Sequence, residues 1–328
     1  MKKLLFLLVA LLPLLAAAGV RGDVDGSGTV DGTDLNELIN ILLGKDDANN
    51  YGGRADVNSD TQVDGNDLNL LINILLGKEV NPPTPPEPVT QTFTVYGVSF
   101  TMVTIEGGTF TMGATPEQDD EAYNSEKPAH QVTLSSFCIG QTEVTQTLWM
   151  AVMGGGNPSE FYGSFDRPVE RVSWNDCQEF ITKLNQKTGL SFRLPTEAEW
   201  EFAARGGNHS QGYKYAGSNT IGDVAWYAAN AYFVGKSSID YGTHIVATKA
   251  ANELGLYDMS GNVMEWCQDW YGSYSSDAQT NPTGPDSGLS RVTRGGGWSG
   301  DAGYCRVSRR NGDYPLSASY FHGFRLAL

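Results

Sequence analysis

The chain has 328 residues, which is enough for two or three modules. It carries 38 acidic residues against 22 basic ones, a net charge of −16, so a phosphate backbone would be repelled and nucleic acid is not expected as a partner. Four cysteines (Cys138, Cys177, Cys267 and Cys305) are too few for a disulfide-based scaffold, and the sequence leaves open whether they form bridges in one of three pairings or stay as buried thiols.

The N-terminal stretch predicts export. Two lysines are followed by an apolar run over residues 4–15 and by three alanines, residues 16–18. This order is typical of a secretory signal peptide, here residues 1–18, that is cleaved near Ala18. An uncleaved anchor is disfavoured because the run is short and contains Pro13. No later segment is apolar enough to be transmembrane, so we expect an exported protein that is periplasmic, secreted or associated with the cell surface.

Residues 23–78 contain two copies of one pattern, 33 residues apart. The copies begin DVDGSGTVDGTDL at Asp23 and DVNSDTQVDGNDL at Asp56. Each copy places oxygen-bearing side chains at alternating loop positions, which turns them toward one point, and calcium prefers such ligand sets. The predicted metal ligands are Asp23, Asp25, Ser27, Asp31 and Asp34 in the first loop and Asp56, Asn58, Asp60, Asp64 and Asp67 in the second.

A helix is predicted after each loop, because Leu and Ile recur at helical spacing before a terminating Gly44 or Gly77. Gly28 supplies the sharp turn of the first loop, whereas Thr61 stands there in the second, which predicts a weaker second site. The duplicated loop and helix resemble the type I dockerin. The resemblance implies a small all-α module that binds calcium and docks onto a cohesin-type partner. The alternative is an acidic solvated repeat.

The stretch EVNPPTPPEPVTQT, residues 79–92, predicts a semi-rigid linker because proline favours extended chain. Residues 93–328 then form a separate module. Alternating segments such as QVTLSSFCIG predict short strands. One helix is predicted between Ser173 and Gly189, and another after the capping-box pair Thr196 and Glu199. With its abundant glycine, this module is expected to be α+β with much irregular loop.

Six motifs of this module occur together. They are MVTIEGGTFTMGA (102–114), TEVTQTLW (142–149), RPVERVSWNDCQEF (167–180), FRLPTEAEWEFAARGG (192–207), NELGLYDMSGNVMEWCQDWY (252–271) and the terminal GFRLAL. In this order they closely resemble the formylglycine-generating enzyme family, the sulfatase-modifying factor domain. The resemblance implies a C-type-lectin-like fold with bound calcium, held by side chains of Asp258 and Glu265 and backbone oxygens of Gly261 and Val263. A polar turn is the alternative.

The catalytic centre of that family is incomplete in this sequence. Active members hold copper(I) between two cysteines five positions apart, and alignment on Gly295 and Gly296 places the second cysteine on Cys305 but the first on Gly300. The family's active-site serine corresponds to Gly297. One thiolate cannot form a two-coordinate copper site, so copper is not expected and Cys305 is predicted to be a core thiol.

Three stretches near the C-terminus differ from the motifs RGGGW, CRVSRRN and GFRLAL that frame them. They contain only residue types reachable from an AAC codon by changing its adenines, which resembles the variable region of proteins diversified by a retroelement. A fixed surface loop is the alternative. Tyr, Ser, Gly and Asp also suit adaptable binding surfaces. The predicted ligand-binding residues are Ser299, Gly300, Asp301, Ala302, Gly303, Tyr304, Gly312, Asp313, Tyr314, Leu316, Ser317, Ala318, Ser319, Tyr320, Phe321 and His322.

The sequence therefore predicts an exported, non-catalytic binding protein, tethered by a dockerin to a cohesin and presenting its C-terminal face to a protein or glycan ligand. One alternative is an oxidoreductase of the formylglycine-generating type, for which Cys305 would be the catalytic candidate. Another is a cellulosome-type component that acts on polysaccharide, which rests on the dockerin alone.

Overall fold

The computed structural model describes residues 23–27, 29–47, 55, 57, 63, 65–76 and 88–328. The chain divides into two compact units, Met1–Thr84 and Pro85–Leu328, and the division falls inside the stretch predicted as a linker. Several sequence predictions lie outside the described residues: the signal peptide, linker residues 79–87, Gly28, Thr61, Gly77 and the second-loop ligands Asp56, Asn58, Asp60 and Asp64.

The first unit contains two helices, α1 (Gly32–Leu42) and α2 (Gly65–Leu75), as the sequence predicted. Helix α1 begins where Asp31 accepts a hydrogen bond from the Thr33 N–H, while the Asp34 carboxylate accepts one from the Asp31 N–H. Leu38 of α1 and Leu71 of α2 are fully buried and lie in one apolar cluster. The helices therefore share a small core that fixes the loop before α1.

Two helices of the second unit begin after the caps that the sequence predicted, and one of them also ends at its predicted glycine. Helix α4 (Trp174–Thr188) starts after its cap Ser173 and ends at Gly189, whose left-handed backbone favours glycine. Helix α5 (Glu197–Ala204) starts after its cap Thr196. The helices are α3 (Gln146–Met153), α4 (Trp174–Thr188), α5 (Glu197–Ala204) and α6 (Ile221–Val224), with a π-helical turn at Ala228–Tyr232. In the described part of the chain, none of the helices combines the length and the apolar character that a membrane span requires.

Among the described residues, twelve short strands form four small sheets. They are β1 (Thr90–Val95), β2 (Val98–Ile105), β3 (Gly108–Met112), β4 (His130–Leu134), β5 (Phe137–Gly140), β6 (Ala225–Trp226), β7 (Ser260–Gly261), β8 (Met264–Trp270), β9 (Gln279–Thr280), β10 (Arg291–Arg294), β11 (Arg310–Asp313) and β12 (His322–Gly323). The sheet orders are β1-β2-β5, β3-β4-β9, β6-β7 and β11-β10-β8-β12. The predicted α+β fold is confirmed. One boundary moves, because residues 90–92, assigned to the linker, pair with β2 as the start of β1.

The core of the second unit surrounds a helix that has no exposed face. All eight residues of α5 are buried, including Glu197, Glu199 and Glu201. Three buried carboxylates on one short helix require nearby cations. Arg193 pairs with Glu199, whereas Arg294 pairs with Glu201.

Buried arginine–glutamate pairs attach the C-terminal segment, which we define as residues 294–328, to the rest of this unit. Arg306 Nη2 lies 2.7 Å from Glu126 Oε1, Arg310 Nη2 lies 2.7 Å from Glu197 Oε2, and Arg325 Nε lies 2.6 Å from Glu265 Oε2. Together with the pair of Arg294 and Glu201, these contacts are water-excluded and mostly doubly hydrogen-bonded. Removing one partner of such a pair leaves an uncompensated buried charge.

We therefore expect Arg306→Ala to lower the free energy of unfolding by about 3–5 kcal/mol, because Glu126 would keep its buried charge and lose its cation. The matched control is Tyr314→Ala, at a side chain that is 67% exposed, for which we expect a change within about 0.5 kcal/mol. Urea unfolding followed by tryptophan fluorescence measures both, since all 7 tryptophans lie in the second unit. Equal losses of unfolding free energy in the two variants would show that the buried ion pair contributes no more to stability than the exposed tyrosine does.

Candidate functional site

Sheet β11-β10-β8-β12 brings the three C-terminal stretches to one face. The first stretch (residues 299–304) follows β10. The second (residues 312–314) contains the end of β11, and the third (residues 316–322) runs into β12. Strand β11 pairs with β10 so that Gly312 lies opposite Val292, while His322 of β12 lies opposite Met264 of β8. Asp313 lies opposite Arg291 at the start of β10, whereas the first stretch follows the end of that strand.

Residues from all three stretches line one open cavity of about 490 Å³. Tyr304 comes from the first stretch, Gly312 and Asp313 come from the second, and Phe321 comes from the third. The remaining lining residues are Ser125, Met264, Tyr271, Arg309, Arg310 and Asn311. We call this cavity the C-terminal cavity.

Residues 312–320, which span the second and third stretches, alternate between exposed and half-buried positions. Tyr314, Leu316 and Tyr320 are 67%, 77% and 43% exposed. Asp301, Gly312 and Ala318 are also exposed, while Ser299, Gly300, Ala302, Gly303, Ser317 and Ser319 are half-buried. Most of the predicted ligand-binding residues are therefore accessible from outside the protein.

His322 is a correction to the predicted surface. Its side chain is 1% exposed, and its ring packs on Trp266 with centroids 4.8 Å apart. Its position on β12, the strand beside β8, directs it into the core. His322 Nε2 lies 3.4 Å from Asp313 Oδ2, so the buried ring contacts the carboxylate of a residue that lines the cavity.

Asp313 is held in its charged form within this cavity. Burial opposes ionisation, but His322 and the Thr293 hydroxyl, which donates to Asp313 over 3.0 Å, outweigh it, so the pKa of Asp313 lies below its ordinary value. The cavity therefore offers a fixed negative group to a ligand at neutral pH.

Arg309 is one of the lining residues that the sequence did not identify as functional. Its guanidinium lies over the rings of Tyr123 and Tyr304, at 4.0 and 4.9 Å from their centroids, and donates to Asn311 over 2.8 Å. The sequence assigned the motif CRVSRRN to the scaffold, and Arg309 is only 8% exposed, with its Nη1 4.0 Å from Glu126 Oε1. No local signal in the sequence distinguishes Arg309 from the adjacent Arg310.

Cys305 lies in the core. It is fully buried in a cluster with Tyr215 and Val224, and burial, together with the charge of Asp301, raises the pKa of its thiol to about 12. The described residues contain no disulfide, so all four cysteines are free thiols. At position 300 a glycine stands where a second thiol ligand would be required. This arrangement has neither a thiolate pair nor an exposed nucleophile.

The cation site that family resemblance implies in this unit fits only in part. Asp258 is 2% exposed, its Oδ2 accepts from the Ala247 N–H, and its buried Oδ1 has no hydrogen-bond partner among the described residues, so it could hold a cation. Burial raises the pKa of Asp258 to about 6. Glu265 fits poorly, because Arg325 binds both of its oxygens and the Trp200 indole donates to one of them. Calcium at Asp258, Gly261, Val263 and Glu265 stays a prediction, and Asp258 is its best-fitting residue.

The first loop of the first unit brings three predicted ligands together. One carboxylate oxygen each of Asp23, Asp25 and Asp34 lies within 4.8 Å of the others, as a shared cation requires. Asp31 Oδ1 accepts the hydrogen bond that caps α1, and the Ser27 hydroxyl donates to the Thr29 carbonyl; both residues remain predicted ligands. Asp67, the described ligand candidate of the second loop, is buried in the first turn of α2.

Comparisons with known proteins place this geometry in context. The model of sulfatase-modifying factor enzyme 1-like domains matches residues 92–328, and that of dockerin type I domains matches residues 21–76. The solved structure of Treponema denticola variable protein 1 is similar, with a TM-score of 0.64 and 37% identity over 73% of this chain and 99% of that one. Among curated relatives, the formylglycine-generating enzyme of Thermomonospora curvata is 30% identical over 69% of this chain and 92% of its own length. Chaperone protein LppX of Paenibacillus barcinonensis is 36% identical over 64% of this chain and 83% of its own.

We expect Asp25→Ala to abolish calcium binding at the first loop, because it removes one of three clustered carboxylates. Isothermal titration with calcium should then show one fewer ion bound per chain than in the wild type. The control Asp47→Ala removes an exposed aspartate of the same unit outside the cluster and should leave the stoichiometry unchanged. An unchanged stoichiometry in Asp25→Ala would show that the cluster does not hold calcium.

Proposed function

Because residues 92–328 belong to the family of sulfatase-modifying factor enzyme 1-like domains and residues 21–76 to the type I dockerins, we propose that the protein is an exported, non-catalytic ligand-binding protein. Its C-terminal face binds the ligand, and its dockerin tethers that face to a cohesin-bearing partner. The observation that carries this proposal is the convergence of three loop stretches on the C-terminal cavity.

The side chains around the cavity support binding of a protein surface. Tyr314, Leu316 and Tyr320 offer apolar and amphipathic area to a partner, and tyrosine loses little conformational freedom when it becomes ordered. Arg309 and Asp313 add one charge of each sign at the cavity. A surface that combines aromatic anchors with fixed polar groups is suited to a specific interface.

The surroundings of Cys305 argue against turnover. A thiol with a pKa near 12 supplies almost no thiolate at neutral pH, and copper(I) in a two-coordinate site needs two soft ligands. Gly300 and Gly297 provide no side chain for either role. The fold of the enzyme family is retained here without the groups that perform its oxidation.

Sequence diversification of the face accounts for the composition of its loops. The three stretches use only residue types reachable by adenine replacement, whereas the frame motifs retain their buried arginines. The similarity to Treponema denticola variable protein 1, which covers 99% of that chain, supports this interpretation. Variation confined to these loops would change the ligand and leave the core intact.

The domain plan of the proposal follows the chain. Residues 1–18 direct export, residues 23–78 form the dockerin, residues 79–92 form the linker apart from the strand residues at its end, and residues 93–328 bind the ligand. Type I dockerins bind calcium, and the cluster of Asp23, Asp25 and Asp34 would hold an ion in the first loop. Calcium would then fix the loop against α1 and make the docking surface rigid.

We expect the codons for residues 299–304, 312–314 and 316–322 to vary among cells of one population, at positions that correspond to template adenines. Deep sequencing of the 3′ end of the gene measures this, and the codons of the frame motifs serve as the internal control. Variation spread evenly over loops and frame, or an invariant segment, would contradict diversification and favour a single fixed ligand.

We expect no formylglycine when the full chain is incubated with copper(I), oxygen, a thiol reductant and a cysteine-containing sulfatase peptide, as measured by peptide mass spectrometry. Cys305→Ser should behave identically, because a core thiol performs no chemistry. The formylglycine-generating enzyme of Thermomonospora curvata serves as the positive control. Conversion of the peptide by the wild type, and its loss in Cys305→Ser, would establish the oxidoreductase alternative.

A further inference from the structure

A second cavity, of about 540 Å³, lies between the start of α5, the end of β8 and the loop of residues 272–285. We call it the Asp269 pocket. Its inner wall carries Glu197, Asp269 and Arg310, and its outer rim carries Ser273, Gln279, Thr280 and Thr283. Nothing in the proposed ligand-binding function uses this pocket.

Asp269 is a buried carboxylate with one oxygen engaged. It is 4% exposed, and its Oδ2 accepts from the Glu197 N–H at the first turn of α5, over 2.9 Å. Oδ1 has no hydrogen-bond partner within the described ranges and faces the rim, where a Cβ on Gly284 would lie 3.2 Å from it. Gly284 has a φ of +72°, so the rim leaves this oxygen uncovered by a side chain.

The neighbouring arginines direct their hydrogen bonds to other groups, although Nε of Arg291 has no partner among the described residues. Arg310 binds both oxygens of Glu197 through Nε and Nη2, while its Nη1 donates to the carbonyls of Ser125 and Gly272. Arg291 lies over Trp270, 3.5 Å from a ring centroid, and donates to the Gln268 carbonyl. Across the described residues, Asp269 forms no ion pair with Lys, Arg or His. A buried carboxylate without a cation is stabilised either by taking up a proton or by binding a cationic ligand.

We propose that the Asp269 pocket binds an organic cation, namely a primary ammonium or guanidinium group, whose charge is neutralised by Asp269. Hydroxyl and amide oxygens of Thr280, Thr283 and Gln279 are placed on the rim to accept its remaining hydrogen bonds. A metal ion fits less well, because calcium takes six to eight oxygens and Arg310 already occupies both oxygens of Glu197. An anion would meet two carboxylates.

The ionisation of Asp269 gives the proposal a second signature. Burial, and then the charge of Glu197, raises the pKa of Asp269 to about 7, while Arg310 acts in the opposite direction. The other titratable and charged groups around it are Glu199 of α5, Arg291 of β10, His130 of β4 and Tyr274 of the loop. Since a cation binds the ionised form, its affinity should rise as the pH rises from 6 to 8. A purely structural role in capping α5 would produce no ligand affinity at any pH.

The test is titration of the full chain with Nα-acetyl-lysine methylamide, followed by calorimetry or by NMR. The uncharged Nα-acetyl-norleucine methylamide is the matched probe. We expect the lysine probe to bind at least tenfold more tightly than the norleucine probe at pH 8. Asp269→Asn should remove that preference, whereas the control Asp286→Asn, an exposed residue of the next loop turn, should retain it. Equal affinities of the two probes for the wild type would overturn the proposal, as would calcium alone binding in an Asp269-dependent manner.

Thr283→Lys provides a test that does not alter the buried carboxylate. Thr283 is exposed at the rim, so the substitution can place an ammonium group in the pocket from the protein itself. We expect this variant to fold and to lose affinity for the lysine probe at least tenfold. Unchanged affinity of the probe for Thr283→Lys would show that it binds elsewhere.

Discussion

The burial of α5 is the constraint on which the second unit depends. A helix with no solvent-exposed face would ordinarily be apolar, yet this one carries Glu197, Glu199 and Glu201. Each of these carboxylates must meet a cation inside the protein, and the chain provides Arg193, Arg294 and Arg310 for this purpose. Because a buried charge without its partner costs several kcal/mol, the arginines can occupy few positions other than the observed ones. Two of them belong to the C-terminal segment, so the position of α5 also determines where that segment lies.

In the C-terminal segment, buried residues that stabilise the fold lie only a few positions from residues that are exposed to solvent. Arg294, Arg306, Arg310 and Arg325 stand in the frame motifs and are buried, whereas Tyr314, Leu316 and Tyr320 lie between them and are exposed. The backbone of the loops is attached to the frame as well: the Trp298 indole donates to the Tyr320 carbonyl, and the Arg171 N–H donates to that of Ser319. A change of side chain in the loops leaves these contacts in place. Such a surface can accept many sequences because its shape is set by residues that do not contact the ligand.

The sequence predicted the features that depend on local chemistry. The caps Ser173 and Thr196 define α4 and α5, and the motifs of residues 102–271 identify the family, so the α+β fold follows from the sequence. Pairings between distant residues were beyond its reach. Nothing local indicates that Glu126 pairs with Arg306, 180 positions away, or that Glu265 pairs with Arg325. His322 was assigned to the surface because its residue type fits the pattern of its stretch, but pairing of β12 with β8 turns it inward. Burial of a side chain in a short strand depends on its neighbouring strand, which one sequence does not specify.

The same physical reasoning explains how a catalytic fold can become a binding fold. A two-coordinate copper(I) site requires two soft ligands placed within a fraction of an ångström, whereas position 300 carries a glycine and offers no ligand. Binding distributes its free energy over several contacts, and no single residue type is required at any of them. Cys305 packs as an apolar group in the cluster with Tyr215 and Val224, and this packing does not depend on a chemical role. The buried ion pairs around α5 do not involve the loop side chains. They would hold the loops in position whether those loops carried a reactive centre or a contact surface.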